Sequence, residues 1–100
     1  MTTPLLLDVR EHDEWDAGHI ATAVHIPMGE LATRLDEVPR DQDVVVVCRS
    51  GNRSASVTAY LDRNGWSARN LAGGMMAWDA AGRPMTNNTT TATGHPPYVL

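Results

Sequence analysis

Short apolar runs alternate with short segments of helical spacing along this chain. Leu5-Leu6-Leu7-Asp8-Val9 has the length and character of a buried strand. Glu11 to Asp16 follows as a short helix stopped by Gly18. Ala23-Val24-His25-Ile26 is a second short strand, ended by Pro27, because proline cannot donate to a sheet ladder. Residues 30–38 set Leu31, Leu35 and Val38 at helical spacing, and Pro39 closes that segment. Asp43 to Val47 is the strongest strand signal, since unbroken valines suit a central parallel strand buried on both faces. Ser54 is a candidate helix cap, with Val57, Tyr60 and Leu61 on the inner face and Gly65 as terminator. Ala68 to Leu71 reads as a strand and Gly73-Gly74 as a turn. Met75 to Ala81 reads as a last short helix before Gly82 and Pro84.

Strands that alternate with helices predict an α/β fold, a central parallel sheet with helices on both faces. No internal repeat is present. Residues 1–85 are read as one domain. Residues 86–100, "TNNTTTATGHPPYVL", differ in composition and are read as a polar tail or loosely docked arm. Asn87 and Asn88 open glycosylation sequons, which are discounted without a secretory route.

One hundred residues allow one modest core. The net charge of −4 argues against nucleic acid and anionic membrane as partners. A lone cysteine excludes an internal disulfide framework. The first residues lack the basic and long apolar regions of a signal peptide, and no apolar run approaches a membrane span. A reducing cytoplasm is the expected setting.

That lone thiol lies in "VVVVCRSGNRSAS", residues 44–56, at the end of the valine run. In an open parallel sheet, ligands bind beyond the carboxyl ends of the strands. The loop from Arg49 to Arg53 leads into a helix expected near Ser54, whose first turn offers unpaired N–H groups and partial positive charge. Gly51 and Asn52 tolerate positive φ, so the loop can curl into a cup of inward-pointing N–H groups, flanked by the cations Arg49 and Arg53. Each feature favours a thiolate over a thiol, and the thiolate is the nucleophile. The plain alternative is that Cys48 is a small buried hydrophobe. A structural cysteine has no need of two arginines and a Gly-Asn turn immediately after it, so a catalytic Cys48 is the reading adopted.

The segments "LLLDVREHDEW", "AGHIATAVHIP", "VVVVCRSGNRS" and "NLAGGMMAW" together resemble the rhodanese family of single-domain sulfurtransferases, in order and spacing, over about residues 5–85. The resemblance implies a rhodanese-like fold and sulfur transfer through a Cys48 persulfide. The donor would be a small anion such as thiosulfate or mercaptopyruvate. The acceptor would be cyanide in an assay, or a thiol or partner protein in the cell. Cys48 matches the catalytic cysteine, Arg49 and Arg53 the basic loop positions, and Ser50, Gly51, Asn52 and Ser54 the cradle and helix start. Asp8 and Arg10 match the family's "DVR". They either brace the active loop by hydrogen bonds or form a local surface ion pair worth little.

His19 is read as fixing the turn after Gly18. With no second ligand at metal-like spacing, no metal site and no cofactor are expected. His25 is read as a partly buried polar residue, and Trp15 and Trp78 as packing rather than substrate platforms. Of Met75 and Met76, one is expected to pack and the other to border the active-site mouth.

Compared with the family the chain reads as N-terminally shortened, which would leave a sheet edge exposed. Tyr98, Val99 and Leu100 are the expected cover, docked near Ala68 to Leu71, unless a weak homodimer covers that edge in place of a monomer's own tail. Rival readings are a cysteine-loop phosphatase or arsenate reductase, a persulfide relay or interaction module acting with a partner protein, and a redox sensor. The phosphatase loops carry five residues between Cys and Arg. Only four separate Cys48 from Arg53 here, a ring that suits sulfur better.

Overall fold

The computed structural model describes residues 4–86. The expected docking of Tyr98, Val99 and Leu100 lies outside the described residues, as do the Asn87 and Asn88 sequons.

Four strands form one parallel sheet: β1 (Leu5–Asp8), β2 (Val24–His25), β3 (Val44–Val47) and β4 (Ala68–Asn70), in the order β2-β1-β3-β4. Three α-helices connect or follow them: α1 (His12–Ala17), α2 (Asn52–Arg63) and α3 (Gly74–Ala80). The valine run is the central β3, paired with β1 from Leu5↔Val44 to Asp8↔Val47 and with β4 from Val44↔Ala68.

The two-residue period of a strand divides β3 between two cores. Val44, Val46 and Cys48 join Leu7, Val9, Val57 and Leu61 on the face that α2 covers. Val47 turns the other way, to Ile20, Met75 and Met85 beside α3. Helices therefore flank both faces, and the same alternation carries Cys48 onto the α2 side.

Local differences from expectation have physical reasons. Residues 30–38 form two 3₁₀ turns, Met28–Thr33 and Leu35–Glu37, rather than one helix. Arg34 interrupts them at φ −124°, and its guanidinium ties Glu30 to Glu37 across the break. Leu31 and Val38 still reach the core, because three-residue winding also returns side chains to one side. The helix after the cysteine begins at Asn52 rather than near Ser54. Gly51 occupies the cap position at φ +106°, a left-handed conformation natural to glycine. Ser54 is thus a first-turn residue, wholly buried, and not the cap. At α1, Glu11 and Glu14 form a capping box, and the Gly18 N–H donates to the Trp15 carbonyl at the other end.

Candidate active site

Cys48 follows β3 directly, is 1% exposed, and carries a free thiol. The turn at Gly51 points the Gly51 N–H at Sγ, 3.0 Å away, and the first turn of α2 places the Ser54 hydroxyl 3.2 Å from it. Burial pushes the Cys48 thiol up. Hydrogen bonds from the Ser54 hydroxyl and from the backbone N–H groups of Ser54, Gly51 and Ser50 outweigh it, and the thiol ends below its ordinary value. The strongest of the influences that lower it are loop and helix donors, and the Arg53 guanidinium and the Cys48 thiolate also attract each other.

The loop is held from behind by α3 and β4. Met75 N–H donates to the Cys48 carbonyl at 2.8 Å, and Met76 N–H to the Arg49 carbonyl at 2.9 Å. This close approach requires Gly74, at φ +57°, because a Cβ there would overlap the Cys48 carbonyl oxygen and the Arg49 backbone. Asn70, the last residue of β4, donates through Nδ2 to the Gly51 carbonyl at 3.1 Å and accepts the Ser54 hydroxyl on Oδ1.

Around this cup the expected residues separate. Gly51 and Ser54 are buried at the sulfur, while the side chains of Arg49, Ser50 and Asn52 are exposed. Arg53 is not a free cation of the cup. Its guanidinium takes both carboxylate oxygens of Glu14, at 2.7 and 2.8 Å. That hydrogen-bonded pairing, against the effect of burial, holds the Glu14 carboxyl down to about 2.

Asp8 and Arg10 do not form a surface pair. Both are buried, and Arg10 donates to the Asp8 carboxylate through Nε at 2.9 Å and Nη2 at 2.7 Å. The alternative of direct bracing also changes. Arg10 Nη2 donates to the Gly18 carbonyl at 2.7 Å and Nη1 to the Glu14 carbonyl at 3.3 Å. The pair therefore anchors α1, and Glu14 of α1 in turn holds Arg53.

A cleft of about 290 Å³ opens beside the loop, lined by Arg10, Glu14, Arg49, Met75, Met76 and Met85, among others. Met75 is buried and Met76 is 55% exposed, one packing and one at the mouth. Trp15 lies stacked on His19 at 3.5 Å and on His25 at 4.6 Å. His19 Nδ1 meets the Trp15 carbonyl, which fixes the turn after Gly18. Trp78 donates Nε1 to the Pro84 carbonyl beneath the Arg83 guanidinium. Among the described residues, no group of three or more His, Cys, Asp or Glu side chains is placed to hold a metal.

Sequence reasoning missed Glu14, Asn70 and Gly74. All three lie inside the quoted segments "LLLDVREHDEW" and "NLAGGMMAW", but nothing local to them points at a cysteine tens of residues away.

Known proteins resemble this arrangement over most of the chain. The model of the rhodanese-like domain matches residues 1–81. The protein YtwF of Bacillus subtilis is 44% identical over 79 residues, covering 79% of this chain and 77% of YtwF. A sulfurtransferase of Allochromatium vinosum is 43% identical over 82 residues, covering 81% of this chain and 77% of that protein. The crystal structure of a rhodanese-related protein from Thermoplasma volcanium superposes with a TM-score of 0.79 at 35% identity, covering 82% of each chain. A parallel sheet in the order β2-β1-β3-β4, a cysteine loop at its carboxyl edge and these matches agree, and the chain belongs to the rhodanese-like domain family of sulfurtransferases.

Proposed function

We propose that the protein moves a sulfane sulfur from a small anionic donor such as thiosulfate to a thiophilic acceptor, through a persulfide on Cys48. The observation that carries this reading is the convergence of the Gly51 N–H and the Ser54 hydroxyl on the buried Cys48 sulfur. The backbone N–H groups of the loop that favour a thiolate would also hold the charge of a persulfide's outer sulfur. The donor class is supported by the thiosulfate sulfurtransferase GlpE of Pseudomonas syringae, 36% identical over 75 residues.

In the first step the Cys48 thiolate attacks the outer sulfur of thiosulfate. The donor S–S bond breaks, sulfite leaves with its electron pair, and Cys48–S–S⁻ forms. In the second step an acceptor nucleophile, cyanide or a thiolate, bonds to the outer sulfur. Sγ leaves with the electron pair as the restored thiolate. The two half-reactions need no outside oxidant or reductant and imply ping-pong kinetics. The N–H groups of residues 50–54 cradle the transferred sulfur, exposed Arg49 draws in the anion, and Asp8 and Arg10 support the cup through α1.

A phosphatase is disfavoured by Arg53, whose guanidinium is committed to Glu14 rather than open to an oxyanion. A protein acceptor is supported by the exposed Met76 at the cleft, since methionine adapts to varied partners. It is also supported by similar domains within longer chains, as in a Bacillus anthracis protein of which the match covers 13%. The lone cysteine supports a cytoplasmic setting. Among the described residues no helix is long and apolar enough to cross a membrane.

Intact-mass spectrometry after incubation with thiosulfate tests the reading. The expected result is a gain of one sulfur, removed by cyanide and absent in Cys48→Ser. No gain with thiosulfate or mercaptopyruvate would overturn the small-donor reading.

A further inference from the structure

The Ser54 oxygen stands between two acceptors, Cys48 Sγ at 3.2 Å and Asn70 Oδ1. A hydroxyl carries one hydrogen and satisfies one of them at a time. The Asn70 amide is oriented by its Nδ2 bond to the Gly51 carbonyl, 3.1 Å away, so Oδ1 faces Ser54. Turning the amide would set Oδ1 against the Gly51 carbonyl, acceptor against acceptor.

The two hydroxyl orientations have opposite effects on the sulfur. With the hydrogen on Asn70, Ser54 presents a lone pair to Sγ, which suits an S–H donor. With the hydrogen on Sγ, the thiolate is stabilised and Asn70 Oδ1 gives up its protein partner. We propose that Asn70 is a positioning residue that competes with Cys48 for the Ser54 hydrogen, keeping the thiolate more basic and more nucleophilic than the loop donors alone would leave it. This rests on the reading of Cys48 as the nucleophile and adds a control to it. When a persulfide forms, the charge moves to the outer sulfur and Sγ becomes neutral. The Ser54 hydroxyl then rotates back to Asn70, with no proton exchanged. Asn70 thereby disfavours the bare thiolate relative to both thiol and persulfide.

The test is the pH dependence of Cys48 alkylation by iodoacetamide in the full chain carrying Asn70→Leu. The midpoint is expected to fall by roughly half a pH unit, the scale of one neutral hydrogen bond. In a Ser54→Ala background Asn70→Leu should produce no fall. If Asn70 only holds the loop, its loss frees the Gly51 N–H from the sulfur and moves the midpoint up. An upward or unmoved midpoint, or a fall that persists without Ser54, overturns the proposal. Should Asn70→Leu not fold, the Asn70 side-chain amide signal is followed by NMR across pH in the unsubstituted protein. It is expected to titrate at the Cys48 midpoint and to lie flat in Ser54→Ala; a flat signal in the unsubstituted chain overturns the proposal. These readouts report Cys48 titration rather than sulfur transfer. Failure here leaves the mass-spectrometric result standing, and a failed sulfur gain leaves these readouts intact.

Discussion

Arg53 in the first turn of α2 grips Glu14 of α1 with both prongs of its guanidinium, across 39 positions of chain. The pair ties the helix behind the cysteine loop to the helix that Arg10 anchors, so the wall of the cleft depends on Glu14 remaining ionised. Its carboxyl is lowered from 4.5 to about 2, first by the Arg53 hydrogen bonds. As pH falls, the unfolded chain takes up this proton before the folded one does. The stabilisation is therefore complete above about pH 4.5 and fades toward pH 2. Both side chains are partly exposed, which limits the pair to about 1 kcal/mol at neutral pH. Urea unfolding of Glu14→Gln is expected to show that loss at pH 7 and a smaller drop between pH 6 and pH 3 than the parent shows. An unchanged drop would mean that another carboxylate carries the acid sensitivity.

Cys48 is expected to titrate below an ordinary thiol when folded and to return to about 8.5 when unfolded. Alkylation rates across pH, with and without urea, measure both midpoints. Because the folded value is the lower one, the thiolate adds stability above the unfolded value, and this is lost as pH falls through the folded value. Coincident midpoints would show that the Gly51 and Ser54 donors only offset burial, and a folded midpoint above the unfolded one that they do not act on the sulfur.

Asp8→Ala would leave the Arg10 guanidinium buried without its counter-ion. The expected cost is about 3–5 kcal/mol, well beyond that of Glu14→Gln, because Asp8 is almost fully buried. Thermal melts of the two variants side by side decide this. Equal melting points would mean that Arg10 finds water or another acceptor when Asp8 is gone.

Gly74→Ala and Gly82→Ala separate backbone strain from crowding. Both glycines have positive φ, but a Cβ at Gly82 meets nothing within 4 Å, whereas at Gly74 it would overlap the backbone of Cys48 and Arg49. Gly82→Ala is expected to cost about 1 kcal/mol and to leave Cys48 alkylation unchanged. Gly74→Ala is expected to cost at least about 2 kcal/mol and to shift the alkylation profile, because α3 must leave the loop carbonyls. Identical alkylation profiles in the two variants would show that α3 does not hold the loop.

Much of this molecule is written in patterns a few residues long. The valine run, the cysteine that ends it and the Gly-Asn turn beyond it made the central strand, the loop and the following helix readable from the sequence. So did the spacing of Val57 and Leu61. Such features follow from strand period, helix period and the conformational range of glycine, which act between near neighbours. Short reach also explains two misreadings. Over residues 30–38 a spacing of three or four serves a 3₁₀ turn as well as an α-helix, and the spacing does not show the break at Arg34 that divides the segment. A serine near a helix start reads as a cap, yet Ser54 lies inside the first turn, because the left-handed Gly51 takes the cap position three residues earlier.

Only the tertiary structure decided who meets at the sulfur. The order β2-β1-β3-β4 brings the carboxyl ends of β1, β3 and β4 to one edge, with Asp8, Cys48 and Asn70 on neighbouring strands. Asn70 reaches Ser54 across 16 positions, and Gly74 admits α3 to the back of the loop. Arg53, an apparent free cation in the sequence, is matched by Glu14. No local pattern encodes these meetings, since each depends on a sheet order set by burying both faces of β3 at once.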